Sequence, residues 1–261
     1  MQSGRRRIDV HRAIERQASP SRQEEAGRIQ LLDAWRGAAI VGVVLYHVGW
    51  DLSFFGFAPP GMMFSQPMIL FARTLVSSFM FLCGVGIVLA HEPVFDGRSF
   101  WKRFLKIALA AVAITGVSLL SMPSDFVYFG VLHAIAASSL IGLAFIRMPV
   151  PIVAVAGFLV IALSFFIRID DFGVRWLAWI GFAALPPPSI DFVPLFPWLG
   201  VTLLGVAATK LFLRWPATSK FFRVPVPRWL SWAGRRTLPI YLLHQPILFA
   251  LFWLVTRMGT S

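Results

Sequence analysis

The stretch LLDAWRGAAIVGVVLYHVGWDLSFFGF, residues 31–57, decides the fold of this chain. It is long and apolar enough to cross the ~30 Å of hydrocarbon in a bilayer as a helix of ~20 residues. Its four ionisable side chains are Asp33, Arg36, His47 and Asp51. At about 100° per residue they fall within a stripe about 60° wide and about 27 Å long. Because an ionised Arg or Asp at the bilayer centre costs about 2.5–3.5 kcal/mol, the stripe is expected to face other helices across a buried cleft.

The composition of the whole chain indicates a membrane protein. Of 261 residues, 57% are apolar and 14% charged, against about 45–50% and about 25% in soluble domains. The net charge of +12 comes from basic residues that lie between apolar segments, which favours a role in membrane topology over nucleic-acid binding. The only cysteine, Cys83, excludes an intrachain disulfide, and no Cys/His cluster has zinc spacing, so no metal is expected.

The hydropathy pattern predicts an all-α integral membrane protein with about seven transmembrane helices. A basic, flexible cytoplasmic tail is predicted for residues 1–30, followed by one membrane domain over 31–257. A shorter apolar segment, 174–185, ends in three prolines and is predicted to be an interfacial or re-entrant helix, because its tryptophans suit the headgroup layer. The predicted spans are 32–56, 67–90, 104–121, 126–146, 150–167, 195–213 and 238–256.

The distribution of basic residues predicts the orientation. With the amino terminus in the cytoplasm, nineteen basic residues fall on the cytoplasmic side and only Arg168, Arg175 and Arg257 fall on the other. The positive-inside rule therefore predicts a cytoplasmic N-terminus and a periplasmic C-terminus.

The spacing of the ionisable residues in the first span suggests a catalytic group. His47 and Asp51 are four residues apart, so the carboxylate is placed to orient the imidazole as a general base or nucleophile. Asp33 and Arg36 are three residues apart and are predicted to pair. Each group has a plainer interpretation, since a membrane histidine is often a packing residue and a charge at a helix end often meets headgroups.

Five sequence blocks, in order, are similar to one known family. The spacing Arg36–x10–His47 resembles the motif of the transmembrane acyltransferases. LLDAWRGAAIVGVVLYHVGWDL resembles the first span of bacterial membrane proteins related to heparan-alpha-glucosaminide N-acetyltransferase. The other blocks are FMFLCGVGIVLA (79–90), FGVLHAIA (129–136), PLFPWLGVTLLG (194–205) and GRRTLPIYLLHQP (234–246).

The resemblance implies an acyltransferase that uses cytoplasmic acyl-CoA, usually acetyl-CoA, as co-substrate and a glycan or sugar-like acceptor. It implies that His47 is catalytic, that Arg36 lies near the acyl donor, and that the protein resides in the bacterial inner membrane. Asp51 completes the candidate catalytic group, and a homodimer is left open. Other candidates are Asp33, Trp50, His133, Tyr241 and His244 for substrate binding, and Arg98, Lys102, Arg103, Arg235 and Arg236 for the phosphates of the donor.

Two other functions fit the same residues. A proton-coupled carrier or flippase would use His47 and Asp51 as a relay, without acyl-CoA. A structural membrane scaffold would account for the Phe-rich packing but not for the polar stripe.

Overall fold

The structure is a computed structural model that describes residues 30–91, 95–214 and 225–259. Within those ranges the chain is helical and has no β-strand. The predicted tail, 1–30, lies outside them except for Gln30, which begins the first helix. The helices of the described ranges are α1 (Gln30–Phe54), α2 (Gln66–His91), α3 (Gly97–Ser121), α4 (Val131–Phe145), α5 (Val150–Phe166), α6 (Arg175–Ala178), α7 (Leu195–Leu213), α8 (Arg228–Arg235) and α9 (Thr237–Gly259).

Each of the seven predicted spans coincides with an apolar helix. Five of them, α1, α2, α3, α7 and α9, are long and apolar enough to cross a bilayer. The other two, α4 and α5, have 15 and 17 residues, which corresponds to about 22 and 26 Å of helix. The prediction of an all-α integral membrane protein is thus confirmed, with five full-length candidate spans. The predicted orientation stays a prediction.

The fourth predicted span, 126–146, begins too early. Its first residues are extended and lie beside the segment before α7, where Phe129 and Phe192 form an isolated parallel bridge. The amide of Ile190 donates to the carbonyl of Asp125 at 2.8 Å, and the amide of Val193 donates to that of Phe129 at 3.0 Å. Because these carbonyls are engaged outside a helix, α4 begins only at Val131.

The predicted helix over 174–185 is mostly wrong. Only Arg175–Ala178 is helical, which is a single turn. The residues that follow use their carbonyls elsewhere: Trp179 accepts from the amide of Leu195 at 2.7 Å, and Ile180 accepts from that of Phe196 at 2.8 Å. The segment is therefore a non-helical connection that packs against the start of α7.

The centre of the bundle is α7, which packs against α2, α4 and α5. Its buried side chains Leu203 and Val206 meet Val88 of α2 and Val153 of α5 in the core, and these four side chains are 0–1% exposed. On the other side of α2, α1 packs against both α8 and α9. The long helices α3 and α9 bury little of their surface, which suits helices that face lipid.

Two close helix contacts depend on glycine. A methyl group added at Gly84 of α2 would overlap the Thr202 carbonyl of α7, and one at Gly205 of α7 would overlap the Phe81 carbonyl of α2. Gly37 of α1 and Gly234 of α8 form a second reciprocal contact of the same kind. Small residues let helix backbones approach closely in membranes, where dispersion forces replace the hydrophobic effect.

We expect Gly84→Ala to lower the free energy of unfolding by about 1–3 kcal/mol, because the methyl group must push α2 away from α7. Thermal unfolding in detergent measures this loss. The matched control is Gly116→Ala in α3, where an added methyl group has no neighbour within 4 Å and improves helix propensity. Equal unfolding temperatures for the two variants would contradict the assignment of a tight α2–α7 contact.

Candidate active site

The polar stripe of α1 faces α8 and α9. Asp33 and Asp51, at the two ends of the stripe, are each only 3% exposed. The predicted pair is confirmed: Arg36 Nη1 donates to Asp33 Oδ1 at 3.1 Å. The ionisable groups of this span are therefore directed into the protein, as their helical spacing predicts.

Two histidines meet between α1 and α9. The rings of His47 on α1 and His244 on α9 lie edge to face, with centroids 4.7 Å apart. His244 Nδ1 lies 2.8 Å from the carbonyl oxygen of Tyr241. Because a carbonyl only accepts, Nδ1 carries a proton, and when the ring is neutral Nε2 is therefore an acceptor.

The predicted orientation of His47 by Asp51 is wrong. Within the described ranges, Asp51 forms no hydrogen bond with His47; its Oδ1 accepts from Gln245 Nε2 of α9 at 2.9 Å. The two side chains do share a face of α1, but the amide of Gln245 reaches the carboxylate, and the imidazole packs on His244 instead. Asp51 therefore joins α1 to α9, directly beside the histidine pair.

Three buried acceptor atoms in this cluster share one property. Asp51 Oδ2, His244 Nε2 and Gln245 Oε1 have no hydrogen-bond partner among the described residues. Buried polar atoms are normally satisfied by protein or by ordered water, so three such atoms in one place favour binding of a polar group. Since all three accept, the complementary group is one that donates, such as a hydroxyl or an amine.

A cavity of about 410 Å³ opens among α1, α2, α3, α4, α8 and α9, within the range of small-molecule sites. Among the described residues, its lining contains five cations and no carboxylate. The cations lie near the beginning of α1 and α3 and at the junction of α8 and α9. The inner end is formed by apolar side chains such as Leu132 and Ile135, together with Tyr241. The five cations are Arg36, Lys102, Arg103, Lys106 and Arg235.

The cavity brings together part of the predicted donor set. Lys102, Arg103 and Arg235 line it, and Lys106, one turn further along α3, joins them although the sequence analysis did not select it. Arg98 and Arg236 are not among its lining residues. The guanidinium of Arg236 lies over the Trp232 ring, 4.8 Å from its centroid.

Tyr241 connects the cavity to the histidine pair. It lines the inner end of the cavity, and its ring centroid lies 5.6 Å from that of His244. Its hydroxyl donates to Asp191 Oδ2 at 3.1 Å. Sequence reasoning did not identify Asp191; the available signal was a single carboxylate in the proline-rich, apolar stretch before α7.

Asp191 lies outside the membrane-spanning helices. Its Oδ2 also accepts from the amide of Val131 at 3.2 Å, at the start of α4. Burial raises the pKa of the Asp191 carboxyl above its usual range, and these two hydrogen bonds only partly oppose the shift. Burial likewise raises the pKa of Tyr128 to about 12, so this phenol is neutral when it donates to the Pro187 carbonyl.

Of the predicted substrate-binding residues only Tyr241 lines the cavity; Asp33 and His244 lie beside it in the contacts described above, and His133 and Trp50 lie elsewhere. His133 Nδ1 accepts from the amide of Gly130 at 3.2 Å, and its Nε2 lies 3.2 Å from Thr115 Oγ1. One ring nitrogen thus caps the start of α4, and the other joins α4 to α3. Trp50 packs edge to face on Phe64 in the connection between α1 and α2, with centroids 5.5 Å apart.

Within the ranges that the structure describes, no group of three His, Cys, Asp or Glu side chains is arranged to hold a metal ion. The buried thiol of Cys83 lines the cavity, and its Sγ lies 3.1 Å from Ser139 Oγ. The side chains at the site supply imidazole, carboxylate, amide, phenol and thiol groups beside a cationic cavity.

Comparison with known proteins relates this site to one family. The family described as heparan-alpha-glucosaminide N-acetyltransferase, catalytic, matches residues 28–246, which include the histidine pair and all the cationic lining of the cavity. No curated protein and no solved structure matches the chain.

We expect Gln245→Leu to lower the free energy of unfolding by about 1.5–3 kcal/mol, because it leaves the buried Asp51 carboxylate without its donor. Chemical or thermal unfolding in detergent measures the loss. In the double variant Asp51→Leu/Gln245→Leu both polar partners are gone, so we expect much of that loss to be recovered. Strictly additive losses would show that the two side chains do not interact.

Proposed function

The chain belongs to the family of the heparan-alpha-glucosaminide N-acetyltransferase catalytic domain, and we propose that it is a membrane-embedded acyltransferase. In this proposal an acyl group, in the first instance acetyl, passes from acyl-CoA to a hydroxyl or amine of a sugar-like acceptor. The observation that carries it is the cationic cavity whose inner end, at Tyr241, lies beside the His244–His47 pair.

The cationic end of the cavity supports a phosphate-bearing donor. Coenzyme A carries several phosphates at one end and a thioester at the other, joined by a long pantetheine arm. Lys102, Arg103 and Arg235 would hold the phosphates through charge-assisted hydrogen bonds. The arm would then extend along the apolar wall toward Tyr241, so that the thioester approaches the histidine pair.

The unpaired hydrogen-bond acceptor atoms of Asp51, His244 and Gln245 support a substrate nucleophile that bears an O–H or N–H group. The unpaired oxygens of Asp51 and Gln245 would receive the O–H or N–H groups of the acceptor and hold it beside His47. In the predicted orientation this cluster lies on the far side of the cavity from the cytoplasm. A sugar-like acceptor would therefore enter from the opposite face of a bacterial inner membrane.

His47 would act as the general base for direct transfer. It takes the proton of the acceptor hydroxyl or amine while that oxygen or nitrogen attacks the thioester carbonyl carbon. The carbon–sulfur bond breaks, and the imidazolium returns the proton to the departing thiolate, which leaves as coenzyme A. In the alternative with an acyl-enzyme, the imidazole nitrogen attacks the thioester carbonyl carbon, and the carbon–sulfur bond breaks to release the coenzyme A thiolate. The acceptor hydroxyl or amine then attacks the acyl-imidazole carbon, the carbon–nitrogen bond to His47 breaks, and the proton of the acceptor passes to the thiolate.

The buried polar cluster also supports a second candidate, a proton-coupled carrier. Unpaired acceptors on Asp51, His244 and Gln245 inside a helical bundle resemble a proton pathway. The two functions differ in one cheap measurement. Acetyl-CoA should raise the thermal unfolding temperature of an acyltransferase and leave that of a carrier unchanged.

We expect His47→Gln to lower acyl transfer by about 100- to 10,000-fold, because it removes the base and largely keeps the packing against His244. Membranes containing the protein are supplied with radiolabelled acetyl-CoA, and label in lipids and glycans is counted. The variant must insert and purify as a monodisperse species like the native chain. Native rates of label transfer would overturn the role of His47.

We expect Lys102→Glu to weaken coenzyme A binding by about 10-fold or more, because a cation of the cavity becomes a like charge for the phosphates. Calorimetry or thermal protection in detergent measures the affinity. The matched control is Arg147→Glu, an exposed residue on the same predicted side of the membrane and not among the cavity lining. If both variants bind coenzyme A equally well, the cavity is not the donor site.

A further inference from the structure

The segment before α7 places one carboxylate behind the inner end of the cavity. Asp191 Oδ2 accepts two hydrogen bonds, from the Tyr241 hydroxyl of α9 at 3.1 Å and from the Val131 amide of α4 at 3.2 Å. Tyr241 and Val131 both line the cavity. One oxygen atom thus holds two helices together at the point where the cavity ends.

The position of Asp191 is fixed by backbone contacts on both sides of it. Ile190 and Val193 donate to the carbonyls of Asp125 and Phe129, so the segment is anchored beside the residues that lead into α4. A methyl group added at Gly130 would overlap the Asp191 carboxylate. The sequence therefore keeps a space into which this side chain extends.

The hydrogen bond to Asp191 determines what Tyr241 offers to a ligand. A phenol has one proton to donate and two lone pairs to accept with. Because the proton is directed at the carboxylate, the hydroxyl oxygen is left as an acceptor, and the negative partner strengthens it. At the inner end of the cavity, where the neighbouring lining is mainly apolar, Tyr241 is suited to receive an N–H or O–H group.

We propose that Tyr241, positioned by Asp191, accepts a hydrogen bond from the N–H or O–H group of the substrate that reaches the inner end of the cavity. This inference rests on the proposed acyltransferase function. Two sources supply such a group, namely an amide of the pantetheine arm and the hydroxyl or amine of the acceptor. Tyr241 touches the substrate directly in this proposal, whereas Asp191 is a positioning residue.

The experiment compares the native chain with Tyr241→Phe in binding coenzyme A and adenosine 3′,5′-bisphosphate, which lacks the pantetheine arm. If the arm is the partner, Tyr241→Phe weakens coenzyme A binding by about 3- to 10-fold and leaves the bisphosphate unaffected. If the acceptor is the partner, both affinities stay native and the rate of label transfer from acetyl-CoA falls by a similar factor. Native values of all three quantities would overturn the proposal.

The matched control is Tyr128→Phe. It removes a hydroxyl that donates to the Pro187 carbonyl in the same segment before α7 that carries Asp191, and Tyr128 is not among the cavity-lining residues. We expect native binding of both ligands and native label transfer. A change equal to that of Tyr241→Phe would indicate that any lost hydroxyl of this region disturbs the site, and would overturn the specific role of Tyr241.

Variants at Asp191 separate positioning from folding. Asp191→Asn keeps an oxygen able to accept from both Tyr241 and Val131 but removes the charge, whereas Asp191→Ala removes both hydrogen bonds. We expect the quantity that Tyr241→Phe changes, the affinity for coenzyme A or the transfer rate, to fall by about 3- to 10-fold in the alanine variant and by less in the asparagine variant. Should Asp191→Ala fail to fold, Gly130→Ala displaces the same carboxylate and is expected to give the same loss. Equal effects of alanine and asparagine would overturn the positioning role.

The pH profile gives a readout that a purely structural role would not produce. The titratable group in contact with Asp191 is Tyr241 on α9, while His133 on α4 and Tyr128 and Asp125 before α4 lie in the neighbouring segments and bond to other partners. Burial raises the pKa of Asp191, so the carboxylate is lost as the pH falls through a value higher than that of an exposed Asp. We expect the coenzyme A affinity or the transfer rate, whichever Tyr241→Phe changes, to decline over that pH range in the native chain and to stay constant in Asp191→Asn. Identical pH profiles of the two proteins would contradict this expectation.

The failure of this inference is distinguishable from that of the proposed function. If the native chain binds neither coenzyme A nor the bisphosphate and transfers no label, the acyltransferase proposal itself is wrong. If the native chain binds and transfers while Tyr241→Phe is identical to it, only the role of Tyr241 is wrong.

Discussion

Hydrocarbon cannot solvate charge, and this constraint organises the molecule around the polar face of α1. Four ionisable side chains in one span are tolerated only where other protein groups receive them. Here α9 receives two of them, since Gln245 bonds Asp51 and His244 packs on His47, while Asp33 and Arg36 pair with each other. The pairing of α1 with the last helix brings the two ends of the described chain together, and the candidate site lies at their contact.

The sequence predicts the architecture well because hydropathy is a strong signal. All seven apolar segments are helices, and the polar stripe of α1 is visible from spacing alone. Two errors have one cause. Residues 126–130 and 179–185 are apolar, yet their backbone groups bond to distant segments, and hydropathy carries no information on such long-range pairing.

The candidate site is only partly readable from sequence for the same reason. The pair Asp33–Arg36 follows from a spacing of three on one helix. The bond between Asp51 and Gln245 joins residues 194 positions apart, so local spacing suggested His47 as the partner instead. Asp191 lies in a segment without periodicity, and its role becomes visible only when α4 and α9 are seen to meet at one of its oxygens.

The reciprocal glycine contact between α1 and α8 fixes the position of one wall of the cavity. Arg36 and Arg235 lie on two helices whose backbones are in direct contact at Gly37 and Gly234. No side chain lies between the helices at this contact. The opposite wall is α3, which meets α9 only sparsely and presents most of its surface outward. One side of the entrance is therefore held by a direct backbone contact, whereas the other is a helix that α4 holds in the bundle and that presents most of its surface to lipid, so we expect the position of α3 to set the width of the entrance.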